Sequence, residues 1–67
     1  MFEIGKRYWL QMHGKFNMGS RFNGTIEAID EHFVKLVDCK SLFVEGTTIV
    51  VGINHIEAFW PDRKSVV

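Results

Sequence analysis

The segment from residue 22 to residue 38 constrains the fold of this 67-residue chain more than any other segment. It has the pattern of two short strands joined at a corner, Asp30-Glu31-His32, with Gly24 inside the first strand. A glycine within a strand usually marks a sharp bend or bulge, where a sheet curls onto itself. The pattern therefore predicts a strongly bent sheet of the kind that closes a very small barrel.

Hydrophobic alternation predicts strands along the rest of the chain and no convincing helix. Tyr8, Leu10 and Met12 share one face of the first strand, and Val34 and Leu36 share one face of the third. In the second strand the shared face holds Phe22, Gly24, Ile26 and Ala28. We predict strands over residues 6–13, 22–28, 33–38, 48–51 and 53–60, with turns or loops at 14–19, 39–41 and 45–47. The prediction is an all-β, five-stranded, strongly bent barrel, which leaves open a short N-terminal turn or helix before residue 6.

Length predicts a single domain over residues 1–67, with an ordered core at about 5–60 and a tail at 61–67. A domain of this size buries only about 60% of the surface that its unfolded chain exposes. Small domains without disulfides or metals often gain stability by association, so the composition favours an oligomer.

Cys39 is the single cysteine of the chain, which excludes an internal disulfide framework and a thiolate-rich zinc site. A lone cysteine fits a reducing compartment, and the N-terminus lacks the pattern of a secretory signal. No segment has the length of a membrane span. We therefore expect a cytoplasmic protein without a membrane partner.

The formal net charge of zero argues against bulk electrostatic coating of nucleic acid. The distribution of charge is uneven: residues 1–24 carry four cations against Glu3, whereas residues 25–60 carry six acids against Lys35 and Lys40. This pattern fits either a basic and an acidic end or an ordinary mixed surface.

Catalytic chemistry is sparse, and we predict that the protein is not an enzyme and binds no cofactor. A hydrolase that uses Cys39 would require an exposed thiol of low pKa. The three histidines, His13, His32 and His55, lie on three different predicted elements, so we predict no metal site. The glycines around Lys15 lack the spacing of a phosphate-binding loop.

Two segments resemble the signatures of the Sm-like family, which includes the bacterial Hfq proteins. Residues 24–36 match the first signature, a bent glycine-containing strand, a corner aspartate and an apolar strand. Residues 49–56 resemble the second, an apolar strand that meets a small residue and turns into the closing strand. The resemblance implies an SH3-like/Sm-like barrel whose fourth and fifth strands pair with neighbours in a homo-oligomeric ring of about five to seven copies. The implied interface residues are Ile49, Val50, Val51, Ile53 and Ile56, and the alternative is that this run is core of the single chain.

Family rings bind single-stranded RNA, and the resemblance implies that His32 and Phe33 contact it near the pore, with a base stacked on His32. The chain departs from the family where an asparagine reads the base, since Val34 occupies that position. It also departs where an arginine, or in Hfq a Lys-His pair, precedes the small residue, since those positions hold Val50 and Val51.

Other residues have side chains suited to binding nucleic acid away from the corner at residues 30–32. Lys15 and Arg21 place positive charge in the loop after the first strand, which is either a binding loop or a solvated hairpin tip. Trp9 and Trp60 are either stacking platforms or fillers of a barrel end or an interface. The predicted function is a non-catalytic RNA-binding ring, and the alternative is a protein-interaction or assembly scaffold that does not bind nucleic acid.

Overall fold

The computed structural model describes residues 2–14, 21–41 and 45–62. Five antiparallel strands form one sheet in the order β4-β3-β2-β1-β5. The strands are β1 (Arg7–Met12), β2 (Arg21–Ile29), β3 (Phe33–Lys40), β4 (Glu45–Gly52) and β5 (Ile56–Pro61). A single 3₁₀ turn, Ile53–His55, links β4 to β5. The predicted all-β fold with five strands is confirmed.

The short link between β4 and β5 shows that the sheet is strongly curved. These strands form the two edges, and a flat five-stranded sheet would hold its edges roughly 19 Å apart, at about 4.8 Å per neighbour. The link is a 3₁₀ turn that rises only about 2 Å per residue. The sheet must therefore curl until its edges approach each other. Among the described residues no ladder joins β4 with β5, so the single chain forms an open sheet rather than the predicted closed barrel.

The concave face of the sheet carries the hydrophobic core. The predicted inward faces of β1 and β3 are confirmed, and in β2 the prediction holds for its first three residues. Ala28 is exposed, because an extra residue at Glu27 shifts the alternation between Ile26 and Ala28. The buried side chains are Tyr8, Leu10, Met12, Phe22, Ile26, Val34, Leu36, Cys39 and Val51.

An extra residue in β3 determines which side chains of its second half face the core. Leu36 pairs with Ile49 and Cys39 with Thr47, so three steps along β3 match two along β4. The pairing with β2 shows the same offset. Asp38 occupies the extra position with a φ of 52°, in the left-handed region. As a result Cys39, and not Asp38, points into the core.

Arg7 reaches across β2 and holds this bulge. Its guanidinium donates hydrogen bonds to Asn23 Oδ1 (2.7 Å), Thr25 Oγ1 (2.9 Å) and the Asp38 carbonyl oxygen (3.1 Å). It also lies 3.4 Å from Asp38 Oδ2 and 3.7 Å from Asp62 Oδ2. Because these partners come from β2, β3 and the segment after β5, Arg7 has a structural role.

Gly24 allows β2 and β3 to pack closely at the bend. A Cβ atom at this position would lie 2.8 Å from the Cys39 sulfur and 3.2 Å from the Leu36 Cβ. These separations are well below van der Waals contact, so only glycine fits without movement of the neighbouring strand. A sharp bend or bulge was the prediction for this glycine, and the structure shows close packing there together with a register shift between Asn23 and Thr25.

The N-terminal segment forms a turn, which decides the alternative that the sequence left open. Lys6 N–H donates to the Glu3 carbonyl at 3.2 Å, and Gly5 takes a φ of 89°. Phe2 then packs its ring against Tyr8 and Phe59, with centroids 5.0 and 4.2 Å away. The segment before β1 therefore covers one end of the curled sheet.

Three predicted boundaries are wrong. The last strand begins at Ile56 and not at residue 53, because residues 53–55 form the 3₁₀ turn. Residues 45–47 belong to β4 and not to a turn, because Gly46, with a φ of 77°, takes up an extra residue within the strand. Cys39 and Lys40 likewise extend β3 beyond its predicted end. Most of the predicted loop at 14–19 lies outside the described residues. In the part of the chain that the structure describes, no helix has the length and apolar character needed to cross a membrane.

Candidate functional site

The corner between β2 and β3 is built around the Asp30 carboxylate. Asp30 Oδ1 accepts hydrogen bonds from the backbone N–H groups of His32 and Phe33, each at 2.8 Å. Asp30 N–H donates to the Phe33 carbonyl at 3.0 Å. The N–H groups of His32 and then Phe33 hold the pKa of the Asp30 carboxyl below its ordinary value. The carboxylate therefore fixes the backbone from which the next two rings project.

His32 and Phe33 present two neighbouring rings to solvent. The side chain of His32 is 73% exposed, and Phe33 is 52% exposed although it is large and apolar. Their ring centroids are 6.4 Å apart at an interplanar angle of 66°. An exposed aromatic pair on a fixed turn is suited to stacking against a planar ligand.

The link between β4 and β5 lies beside this corner. Ile53 N–H donates to the His32 carbonyl at 2.9 Å, which ties the 3₁₀ turn to the β2–β3 corner. An open cavity of about 280 Å³ lies between them, lined by His32, Phe33, Gly52, Asn54 and His55. The His55 ring comes so close to Gly52 that a Cβ there would lie 3.0 Å from its Cδ2. We refer to these five lining residues as the corner site.

The sequence prediction missed Asn54 and His55. Both lie in the run from residue 49 to residue 56 that was assigned to an apolar interface. The signal that could have found them is the polar pair directly after the apolar Ile53, at the point where the strand ends. Asn54 supplies an amide beside the two rings, a group that Val34 cannot supply.

All three histidines meet at the same 3₁₀ turn, although they lie on different elements. His13 N–H donates to the His55 carbonyl at 2.9 Å, and the His32 carbonyl accepts from Ile53 on the other side of the turn. Within the described residues their side chains do not form a cluster of three groups able to hold a metal ion. The backbone segments of the three histidines therefore meet at this turn without making a ligand set in the described part of the chain.

Two of the three valines at the positions where the resemblance would place RNA-contacting residues belong to the core. Val34 and Val51 are direct partners in the β3–β4 ladder, and both are buried. Val50 points the other way and is 58% exposed. The corner site is thus accessible to a planar aromatic group, but Val34, Val50 and Val51 give it no side chain that could read a base.

The predicted cations do not join the corner site. Arg21 begins β2, whereas the corner follows the end of the same strand. Its guanidinium donates to Gln11 Oε1 at 2.9 Å and lies 5.4 Å from the centroid of the Trp60 ring. Lys15 lies outside the described residues.

The predicted interface residues divide between the core and the surface. Val51 is buried in the core, and Val50 is exposed on the edge strand β4. The three isoleucines are partly buried against the core: Ile49, Ile53 and Ile56. Val51 is therefore core of the single chain, whereas an interface that includes the exposed Val50 stays a prediction.

Cys39 does not meet the conditions for a nucleophile. Its side chain is buried against Gly24 and Leu36, and burial raises the pKa of the thiol. A buried thiol of raised pKa is neither accessible nor ionised at neutral pH.

Comparisons with models of protein families, with curated proteins and with solved structures found no match to this chain. The likeness to the Sm-like family therefore remains a resemblance of short motifs.

Proposed function

We propose that this protein is an Sm-like, non-catalytic module that assembles into a homo-oligomeric ring and binds single-stranded RNA at the corner site. The observation that carries the proposal is the exposed ring pair of His32 and Phe33 beside Asn54 and His55. We place the protein in the cytoplasm, as its single, free cysteine favours.

The corner site has the chemistry to hold an unpaired base. A base stacked on an aromatic side chain contributes about 1–3 kcal/mol to binding, and it does so without reading sequence. The Asn54 amide offers both a donor and an acceptor to a base edge.

The open sheet edges support assembly into a ring. β4 and β5 each have one neighbour in the described sheet, so each presents unpaired backbone groups along one side. These are the two strands that the resemblance implies pair between subunits. A repeated contact of β4 with the β5 of the next copy would satisfy both edges and close into a ring of about five to seven copies. The ring would also repeat the corner site, which raises the avidity of a neutral chain for RNA.

Anisotropy of labelled oligouridine and oligoadenine at about 50 mM salt tests the RNA proposal. We expect binding by the wild-type protein and roughly a tenfold loss for His32→Ala, because one stacking platform is removed. His13→Ala is the matched control, since His13 is exposed nearby but does not line the corner site. Equal affinities for the two variants, or no binding by the wild type, would contradict the proposal.

The second candidate is an assembly scaffold that does not bind nucleic acid. The burial of Val34 and Val51 favours it, since the family's base-reading groups are missing at these positions. Light scattering with and without RNA separates the two functions. A closed oligomer that does not gain mass with RNA at low salt would favour the scaffold.

A further inference from the structure

A row of large and charged side chains crosses the convex face of the sheet, away from the core. Directly paired residues of neighbouring antiparallel strands share a face. Trp9 pairs with Trp60 on one side and with Asn23 on the other, and Asn23 pairs with Lys40. The row therefore runs over β5, β1, β2 and β3 on the face opposite to the buried Leu10.

Arg21 completes this surface from the adjacent row. It pairs with Gln11 in the β1–β2 ladder, and its guanidinium lies 5.4 Å from the Trp60 ring centroid. No acidic side chain within the described residues forms an ion pair with Arg21. An open cavity of about 390 Å³ lies on this face, lined by Trp9, Arg21, Asn23, Lys40 and Ser41. We call the surface formed by Trp9, Trp60, Arg21 and Lys40 the tryptophan face.

The polar groups beside the tryptophan face differ in how firmly they are held. Asn23 accepts from Arg7 at 2.7 Å and donates to Asp62 at 3.3 Å, so its amide is already engaged on both sides. Lys40 lies 3.7 Å from Glu45, and both side chains are largely exposed. A surface pair of this kind contributes only about 0–1 kcal/mol, so an incoming anion can displace it.

The tryptophan face combines two indole rings with a guanidinium and an ammonium group. It has no free amide that could read a base. Indole and guanidinium planes stack on bases, and exposed cations contact phosphates. Since the Asn23 amide is already engaged and the remaining groups are rings and cations for the most part, the surface suits a polyanion with planar groups and little dependence on its sequence. An uncharged peptide would use the rings but neither cation, whereas the carboxylates of an acidic peptide would use the cations but not the rings.

We propose that the tryptophan face is a second binding surface for single-stranded nucleic acid, with bases on Trp9 and Trp60 and phosphates at Arg21 and Lys40. The proposal rests on the proposed function only for the class of ligand. It needs neither the corner site nor a ring, because all four side chains belong to one chain and lie away from the corner.

Tryptophan emission reports on this surface directly, since the chain contains two tryptophans and both lie on it. Titration with an oligouridine of about eight nucleotides at roughly 50 mM salt should quench the emission. His32→Ala should retain this quenching, because the corner site contains no tryptophan.

The double variant Arg21→Gln with Lys40→Gln keeps both reporter rings and removes two phosphate contacts. We expect the affinity read from the quenching curve to fall about tenfold. The slope of log K against log salt concentration should become shallower by about two. Lys35→Gln is the matched control, since Lys35 is an exposed lysine of the same strand that lies outside the tryptophan face and pairs with Glu27. Glu45→Gln should tighten binding, because it frees Lys40.

The outcomes separate this proposal from the proposed function. If RNA raises anisotropy but leaves tryptophan emission unchanged, the tryptophan face is overturned while the corner site stands. If the double variant matches the lysine control in affinity and salt slope, the tryptophan face is likewise overturned. Emission that responds to dilution of the protein and not to RNA would assign this face to contacts between copies. Quenching that persists in His32→Ala and is lost in the double variant supports the proposal.

Discussion

At the scale of single residues, close packing around Gly24 controls how β2 and β3 meet. The hydrogen of Gly24 faces the Cys39 sulfur and the Leu36 side chain, and no larger group fits between them. The close approach of β2 and β3 at this point thus depends on the absence of a side chain, and Cys39 serves as a small apolar residue of the core.

Gly24→Ala should lower the free energy of unfolding by about 1–3 kcal/mol, because the added methyl overpacks the core. Urea denaturation measures the change. In the Cys39→Ala background the same substitution should be less costly, since the nearest atom has been removed. Equal costs in the two backgrounds would show that the sulfur does not cause the strain.

Asp30 gives the stability of the corner a defined dependence on pH. The backbone N–H groups of His32 and Phe33 lower the pKa of its carboxyl in the folded state. The contribution is therefore fully present above the pKa of the unfolded carboxyl, about 3.9, and is lost as the pH falls through the lower folded pKa. Asp30→Asn should flatten the fall of Tm between about pH 5 and pH 2.

Glu31→Gln serves as the control for that titration. Glu31 is an exposed acid of the same corner, and in the described residues it accepts no hydrogen bond from the corner backbone. This variant should keep the steep acid dependence of the wild type. Identical Tm profiles for Asp30→Asn and the wild type would rule out the assigned role of Asp30.

At the scale of elements, the bulge in β3 places the right side chains in the core. Asp38 adopts a left-handed conformation at the bulge, and its carbonyl accepts from Arg7 on β1. Because this interaction uses the backbone of residue 38, the identity of its side chain matters chiefly through its tolerance of a positive φ.

Asp38→Gly should change the free energy of unfolding by less than about 1 kcal/mol, since relief of the positive φ offsets the loss of an exposed ion pair. Asp38→Val should be less stable than Asp38→Gly by about 1–2 kcal/mol, because a β-branched residue resists this conformation. Thermal or urea unfolding of the two variants checks the order. A valine variant as stable as the glycine variant would contradict the bulge.

At the scale of the whole molecule, the open edges of the sheet determine how copies can associate. On the edge strand β4 the side chain of Val50 is exposed and that of Val51 is buried, so two neighbouring residues lie on opposite faces of the sheet. Substitutions at these neighbouring positions should therefore have different consequences.

If the proposed oligomer forms, Val50→Lys should reduce it to smaller species at micromolar concentration without unfolding the chain, because the charge lies on the exposed side of the edge. Val51→Ala should instead lower the free energy of unfolding by about 1–3 kcal/mol, since it leaves a cavity in the core. Light scattering and urea denaturation distinguish the two effects.

Ile4→Lys is the matched control, since Ile4 is also an exposed apolar residue but lies outside both edge strands. It should retain the mass of the wild-type assembly. A wild-type protein with the mass of one chain would contradict the ring, and so would equal dissociation of the two lysine variants.

The sequence determined the strands and much of the core, because alternation is a local property of the chain. The inward faces of β1 and β3 followed from residues two apart. The corner at Asp30 followed from the turn preference of aspartate after an apolar strand.

The tertiary structure alone decided the bulges, the composition of the corner site and the tryptophan face. A bulge depends on how many residues the neighbouring strand supplies, so Asp38 and the exposure of Ala28 could not be read from one strand. Asn54 reached His32 only because the sheet curls enough for a 3₁₀ turn to link its two edges. Trp9 and Trp60 came together through a register between residues far apart in sequence. The local chain encodes which residues alternate, whereas strand pairing over long sequence separations decides which of them meet.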